Sequence, residues 1–124
     1  MRSMNMLFVL VVLVFVFHPS LVIADKAAAV IQSPESAQKG TEVAIKVTFT
    51  HAANSSSHFI EWAKVMVNGK EVARWDFTRK DPPEAAKFTK EVKLMVDKDL
   101  EVTAQASCNK HGSRGPAHAK IAVK

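Results

Sequence analysis

The chain has 124 residues, a formal net charge of +5 and one cysteine, Cys108. One cysteine excludes an internal disulfide, and the length allows a single small domain with a single core. The basic residues are scattered, with no block and no interleaved aromatics to stack on bases, which argues against nucleic acid as a partner. They describe a solvated positive surface that draws in small anions.

Residues 1–24 carry Arg2 near the start, an apolar run over residues 7–17, and Val22-Ile23-Ala24 just before Asp25 and Lys26. This is the pattern of a secretory signal peptide cleaved after Ala24. The apolar run is short for a bilayer span, and His18-Pro19-Ser20 interrupts it. The expected mature domain is residues 25–124, periplasmic or otherwise exported. In such a compartment an unpaired thiol is open to oxidation, and metal coordination shields it.

The mature chain reads as strands. Val43, Ile45, Val47 and Phe49 alternate with Ala44, Lys46 and Thr48, giving one buried and one wet face. The next run, residues 59–67, is apolar on much of both faces and is expected to be central. Asn68-Gly69 follows directly as a hairpin turn, and Val72 to Phe77 returns. Asp81-Pro82-Pro83-Glu84 is expected as an exposed loop. Val92, Leu94 and Val96 alternate, Asp97-Lys98-Asp99 turns the chain, and Leu100, Val102 and Ala104 run on. A final strand is expected at about residues 117–123. Short strands at this spacing, without a helix, predict an all-β, immunoglobulin-like antiparallel sandwich in one domain.

On that frame His51 ends one strand and His58 opens the next, so both flank a polar connector at one end of the sandwich. Cys108-Asn109-Lys110-His111-Gly112 forms a loop after a later strand and could reach the same end. Thiolate with imidazole is a ligand set for soft or borderline transition metals. Each histidine alone is more often a surface or capping residue, and the lone cysteine a small buried hydrophobe. Together they define a candidate site.

These residues also carry a resemblance. His51 to Trp62, His-Ala-Ala-Asn-Ser-Ser-Ser-His-Phe-Ile-Glu-Trp, resembles the segment of superoxide reductases (neelaredoxins and the iron-binding domain of desulfoferrodoxins) that runs from one histidine to a His-x-Ile-x-Trp. The likeness continues through Asn68-Gly69-Lys70, Asp81-Pro82-Pro83-Glu84-Ala85 and Cys108-Asn109-x-His111-Gly112. It implies one mononuclear non-haem iron cycling between Fe(2+) and Fe(3+), with Cys108 as axial ligand and His51, His58 and His111 as equatorial ligands. A position left open on the metal is where superoxide becomes hydrogen peroxide, by one electron from an unidentified donor protein and two protons. Lys26 stands where the family carries a lysine that attracts the anion and orders water for protonation. Ile60 and Trp62 are expected in an apolar shell around the metal. The sequence is compatible with a homo-oligomer.

One departure stands out. The family opens with Glu-Lys-His, whose histidine is the fourth equatorial ligand, whereas this chain has Asp25-Lys26-Ala27. The connector is one residue longer, and Arg114 replaces a common aromatic. His118, a water or the new terminal amine could fill the vacant place. A site short of one imidazole keeps two other readings open. One is a non-catalytic periplasmic metal-binding module for iron, zinc or copper. The other is a metal-free carrier with a covalent group on Cys108.

Overall fold

The computed structural model describes residues 26–52 and 54–124, and the expected signal peptide lies outside the described residues. Among them run the strands β1 (Ala28–Gln32), β2 (Ser36–Ala37), β3 (Thr41–Thr50), β4 (Ile60–Val67), β5 (Lys70–Asp76), β6 (Lys87–Val96), β7 (Leu100–Cys108) and β8 (Ala117–Val123). They form a sheet of order β1-β3-β6 facing one of order β2-β8-β7-β4-β5. Every pairing is antiparallel except β2 with β8. The expected all-β sandwich is therefore present. No helix among the described residues is long and apolar enough to cross a membrane.

Alternation explains the layers. Ile45, Val47 and Phe49 of β3 are fully buried and face Ala63, Val65, Val102 and Ile121 of the opposite sheet across one core. Phe49 anchors an aromatic seam, with ring centroids 5.5 Å from Phe88 and 6.0 Å from Trp75. β4 lies between β5 and β7, the interior place expected of its apolar run. At the β4–β5 hairpin both turn residues are left-handed, Asn68 at φ 50° and Gly69 at φ 81°. That is the type I′ geometry matching the twist of paired strands, and Asn-Gly is its favoured sequence.

Three details differ from expectation. β1 and β2 were not anticipated, because Ala28-Ala29-Val30-Ile31 shows no clear alternation and β1 is an exposed edge, with Val30 60% accessible. The expected loop at residues 81–84 is not wholly exposed: Pro83 is buried, since the segment behind it is bonded to the end of the sandwich through the Ala85 and Ala86 carbonyls. Trp62 does not join a shell at the metal end. A bulge between Ile60 and Trp62 keeps Ile60 inward opposite Cys108 and places Trp62 opposite Ser107 on the outer face. There its ring meets Lys64 Nζ at 5.0 Å and Arg74 Cζ at 5.5 Å.

The core account predicts that Phe49→Ala costs about 3–5 kcal/mol in urea unfolding, as expected when a buried aromatic leaves a cavity. Val30→Ala, at the exposed edge, should stay within about 0.5 kcal/mol. Equal losses at the two sites would contradict the assignment of inside and outside.

Candidate metal centre

The Cys-His loop is shaped by its ends. Cys108 N–H donates to Gly112 O at 2.9 Å and Gly112 N–H to Cys108 O at 3.0 Å, closing Asn109, Lys110 and His111 into a tight turn. Gly112 sits at φ 74°, in the left-handed region where a side chain is strained, so glycine suits the position. The turn brings His111 Nδ1 to 4.0 Å from Cys108 Sγ, and Lys110 N–H donates to that sulfur at 3.4 Å. A backbone donor of this kind stabilises negative charge on a thiolate. Cys108 is 2% accessible, so its sulfur lies at the floor of the site.

The two upstream histidines reach the same end. His51 follows the last residue of β3, its N–H donating to Ala86 O at 2.8 Å, and it is 3% accessible. His58 is held by a short turn in which Ser55 Oγ accepts from His58 N–H at 3.1 Å and Ser55 N–H donates to His58 O at 2.8 Å. Pairing of β4 with β7 then sets Ile60 opposite Cys108, which brings His58 over the Cys-His loop. The His51 and His58 rings stand edge to face at 4.6 Å between centroids, and His58 and His111 at 4.9 Å.

His51, His58 and Cys108 each offer a ligand atom within 4.8 Å of the others. His111 joins this trio at its exposed side, with Nδ1 3.1 Å from His58 Nε2. Two imidazoles bound at right angles to one first-row ion, with bonds of about 2.1 Å, stand about 3 Å apart. The donor types and spacings therefore fit a single transition-metal ion. At 3.1 Å one ring nitrogen donates to the other, so a metal that takes both requires the donor ring to carry its hydrogen on its other nitrogen.

Ala27 marks the missing histidine. β1 pairs with β3 as Ala28 with Thr50, so one further step sets Ala27 level with His51 on the inward face. Ala27 is fully buried, its N–H donates to Gly112 O at 3.3 Å, and its carbonyl accepts from Arg114 N–H at 3.0 Å. The first described residues are thus fastened to the Cys-His loop. Lys26, the residue before it, is exposed. Lys87, Lys110 and Arg114 are also exposed and carried on segments that frame this end. His118 does not supply the fourth nitrogen. It is exposed and pairs with Thr103, so it projects from the outer face of the five-stranded sheet, while the inward face of β7 carries Cys108.

Two residues that sequence reading missed organise the site. Asn109 Oδ1 accepts from Phe59 N–H at 3.0 Å and its Nδ2 donates to Ser57 O at 3.2 Å, joining the Cys-His loop to the His58 segment. Asn54, within the polar connector, makes the corresponding bonds around His51. Asparagine in a short connector is a general turn signal, and only the fold reveals which groups it ties together.

The family profile described as Desulfoferrodoxin matches residues 22–113. Among solved structures, the chain is similar to the superoxide reductase (neelaredoxin) from Ignicoccus hospitalis, with 24% identity, coverage of 78% of this chain and 80% of that one, and a TM-score of 0.61. It is also similar to a Thermotoga maritima protein designated a candidate superoxide reductase, at 23% identity, 77% and 85% coverage and a TM-score of 0.56. The sulfur carrier protein SoxY from Chlorobium limicola f thiosulfatophilum shares the fold at 16% identity, 78% and 79% coverage and a TM-score of 0.54. At these identities the structural likenesses speak for the fold alone. No curated protein gives a significant match. With most of its length under one family profile, the chain belongs to the desulfoferrodoxin family.

Proposed function

We propose that this is an exported mononuclear non-haem iron protein of the superoxide reductase type, reducing superoxide to hydrogen peroxide. The observation that carries the reading is the convergence of Cys108, His51 and His58 within ligand reach, with His111 against two of them. In this reading Cys108 would hold the iron through its thiolate, and His51, His58 and His111 would hold it through ring nitrogens. Iron, when bound, supplies the electron that superoxide takes up.

The chain's own residues do the rest. Burial of Cys108 beside Ile60, which is fully buried, keeps water from the sulfur. Lys26, Lys87, Lys110 and Arg114 raise the local concentration of an anion at this end. Lys26 is proposed to guide superoxide to the site and to order the water that delivers protons. The electron enters from a donor protein outside the chain.

A second reading, a non-catalytic module holding iron, zinc or copper in a closed site of three nitrogens and one sulfur, is favoured by alanine at position 27. The carrier reading fits poorly, because a sulfur 2% accessible is badly placed to bear a covalent group. Metal analysis of anaerobically purified protein, with an optical spectrum after oxidation, separates these readings: a ferric–thiolate charge-transfer band supports the first.

Replacing Cys108 by Ser should abolish that band, and replacing His51, His58 or His111 by Ala should weaken metal binding at least about tenfold, because each removes a donor. Unchanged metal content in both Cys108→Ser and His51→Ala would show the site to be elsewhere.

Ala27→His should tighten iron binding and raise the second-order rate with superoxide in pulse radiolysis, since the new side chain starts on the face that carries His51. Lys26→Ala should lower that rate and flatten its salt dependence. No oxidation of verified, iron-loaded wild-type protein by superoxide would leave the binding-module reading in place.

Export predicts a mature protein beginning at Asp25, read by intact mass. A membrane fraction retaining residues 1–24 would contradict it.

A further inference from the structure

Asn54 occupies a position from which its carboxamide can have only one orientation. Its Oδ1 lies 2.9 Å from Ile60 N, a backbone N–H that can only donate. Its Nδ2 lies 2.7 Å from Ala85 O, a carbonyl that can only accept. Exchanging oxygen and nitrogen would set donor against donor and acceptor against acceptor, so the assignment follows from the partners. The same Oδ1 lies 3.3 Å from His51 Nδ1. An oxygen of this kind only accepts, so Nδ1 is the nitrogen that carries the proton. In a neutral imidazole the other nitrogen, Nε2, then holds the lone pair.

We propose that Asn54 is a positioning residue that holds His51 in its Nδ1–H tautomer, so that Nε2 is the ligand atom offered to the metal. The inference rests on the metal-centre reading for its purpose, though the tautomer itself does not depend on a metal. Free imidazole side chains favour the opposite tautomer, with hydrogen on Nε2, which would block the lone pair that a metal needs. A fixed outer partner also restrains the ring against rotation, and losing such a partner commonly lowers metal affinity by about ten- to a hundredfold. The arrangement links three segments: His51 after β3, Ile60 at the start of β4, and Ala85 in the loop before β6. One carboxamide thereby couples ring orientation to the two strands that bring His51 and Cys108 together.

The test is long-range nitrogen-15 NMR of the histidine rings in metal-free protein at mildly alkaline pH, followed by Co(II) titration. Wild-type protein should show His51 protonated on Nδ1. Asn54→Ala should move it to the Nε2–H form and weaken Co(II) binding by about ten- to a hundredfold. Asn54→Asp keeps an acceptor for both His51 and Ile60 but sets its second oxygen against Ala85 O, so it should retain the wild-type tautomer and recover only part of the affinity. It is also the variant to rely on if Asn54→Ala fails to fold. A wild-type His51 already protonated on Nε2, an Asn54→Ala protein with an unchanged tautomer, or an Asn54→Asp protein that loses the Nδ1–H form would each overturn the proposal. If the tautomers behave as stated and wild-type protein binds no metal, the metal-centre reading fails while the role of Asn54 toward His51 stands.

Discussion

The antiparallel pairing of β4 with β7 is the constraint on which the site depends. Its last rung sets Ile60 opposite Cys108. From that rung His58 lies two residues back along one strand, and the Cys-His turn begins at the end of the other. The bulge at this point matters as much as the pairing. By absorbing one extra residue between Ile60 and Trp62, it lets Ile60 and Cys108 face inward and sends Trp62 outward. A register slipped by one residue would send the sulfur to the solvent face and dismantle the cluster.

His51 arrives from the other sheet, directly after the last residue of β3. What joins it to the rest is polar: Asn54 reaches from His51 to Ile60 and Ala85, while the first described residues clamp onto the Cys-His loop through Ala27. Side-chain amides that tie separate segments in this way hold them in one arrangement. Among the described residues, no buried side-chain nitrogen or oxygen lacks a partner. The sandwich core supplies stability, and the asparagines supply the geometry of one end of it.

Much of this was legible in the sequence. The alternation of Val43 to Phe49, the double-sided run of β4 and the Asn68-Gly69 turn are local signals, and each appears where expected. The grouping of His51, His58 and Cys108 was legible because their loops fall at strand ends that an antiparallel sandwich gathers together. What escaped was non-local. β1 carries no clear period and is defined by its pairing with β3, the outward turn of Trp62 follows from a bulge, and the partners of Asn54 lie as far off as Ala85. His118 seemed available as a spare ligand only while its face was unknown, since one residue of parity decides between the interior and the solvent.

The chain therefore presents a desulfoferrodoxin-family sandwich with three imidazoles and one thiolate at one end, and a methyl group where another imidazole would begin. The central claim is that these four side chains bind one ion together. X-ray absorption at the iron edge of anaerobically loaded protein tests it most directly. The account predicts one sulfur and three imidazole nitrogens around the iron, with the sulfur shell lost in Cys108→Ser. A first shell of oxygen and nitrogen alone in the wild-type protein would contradict it.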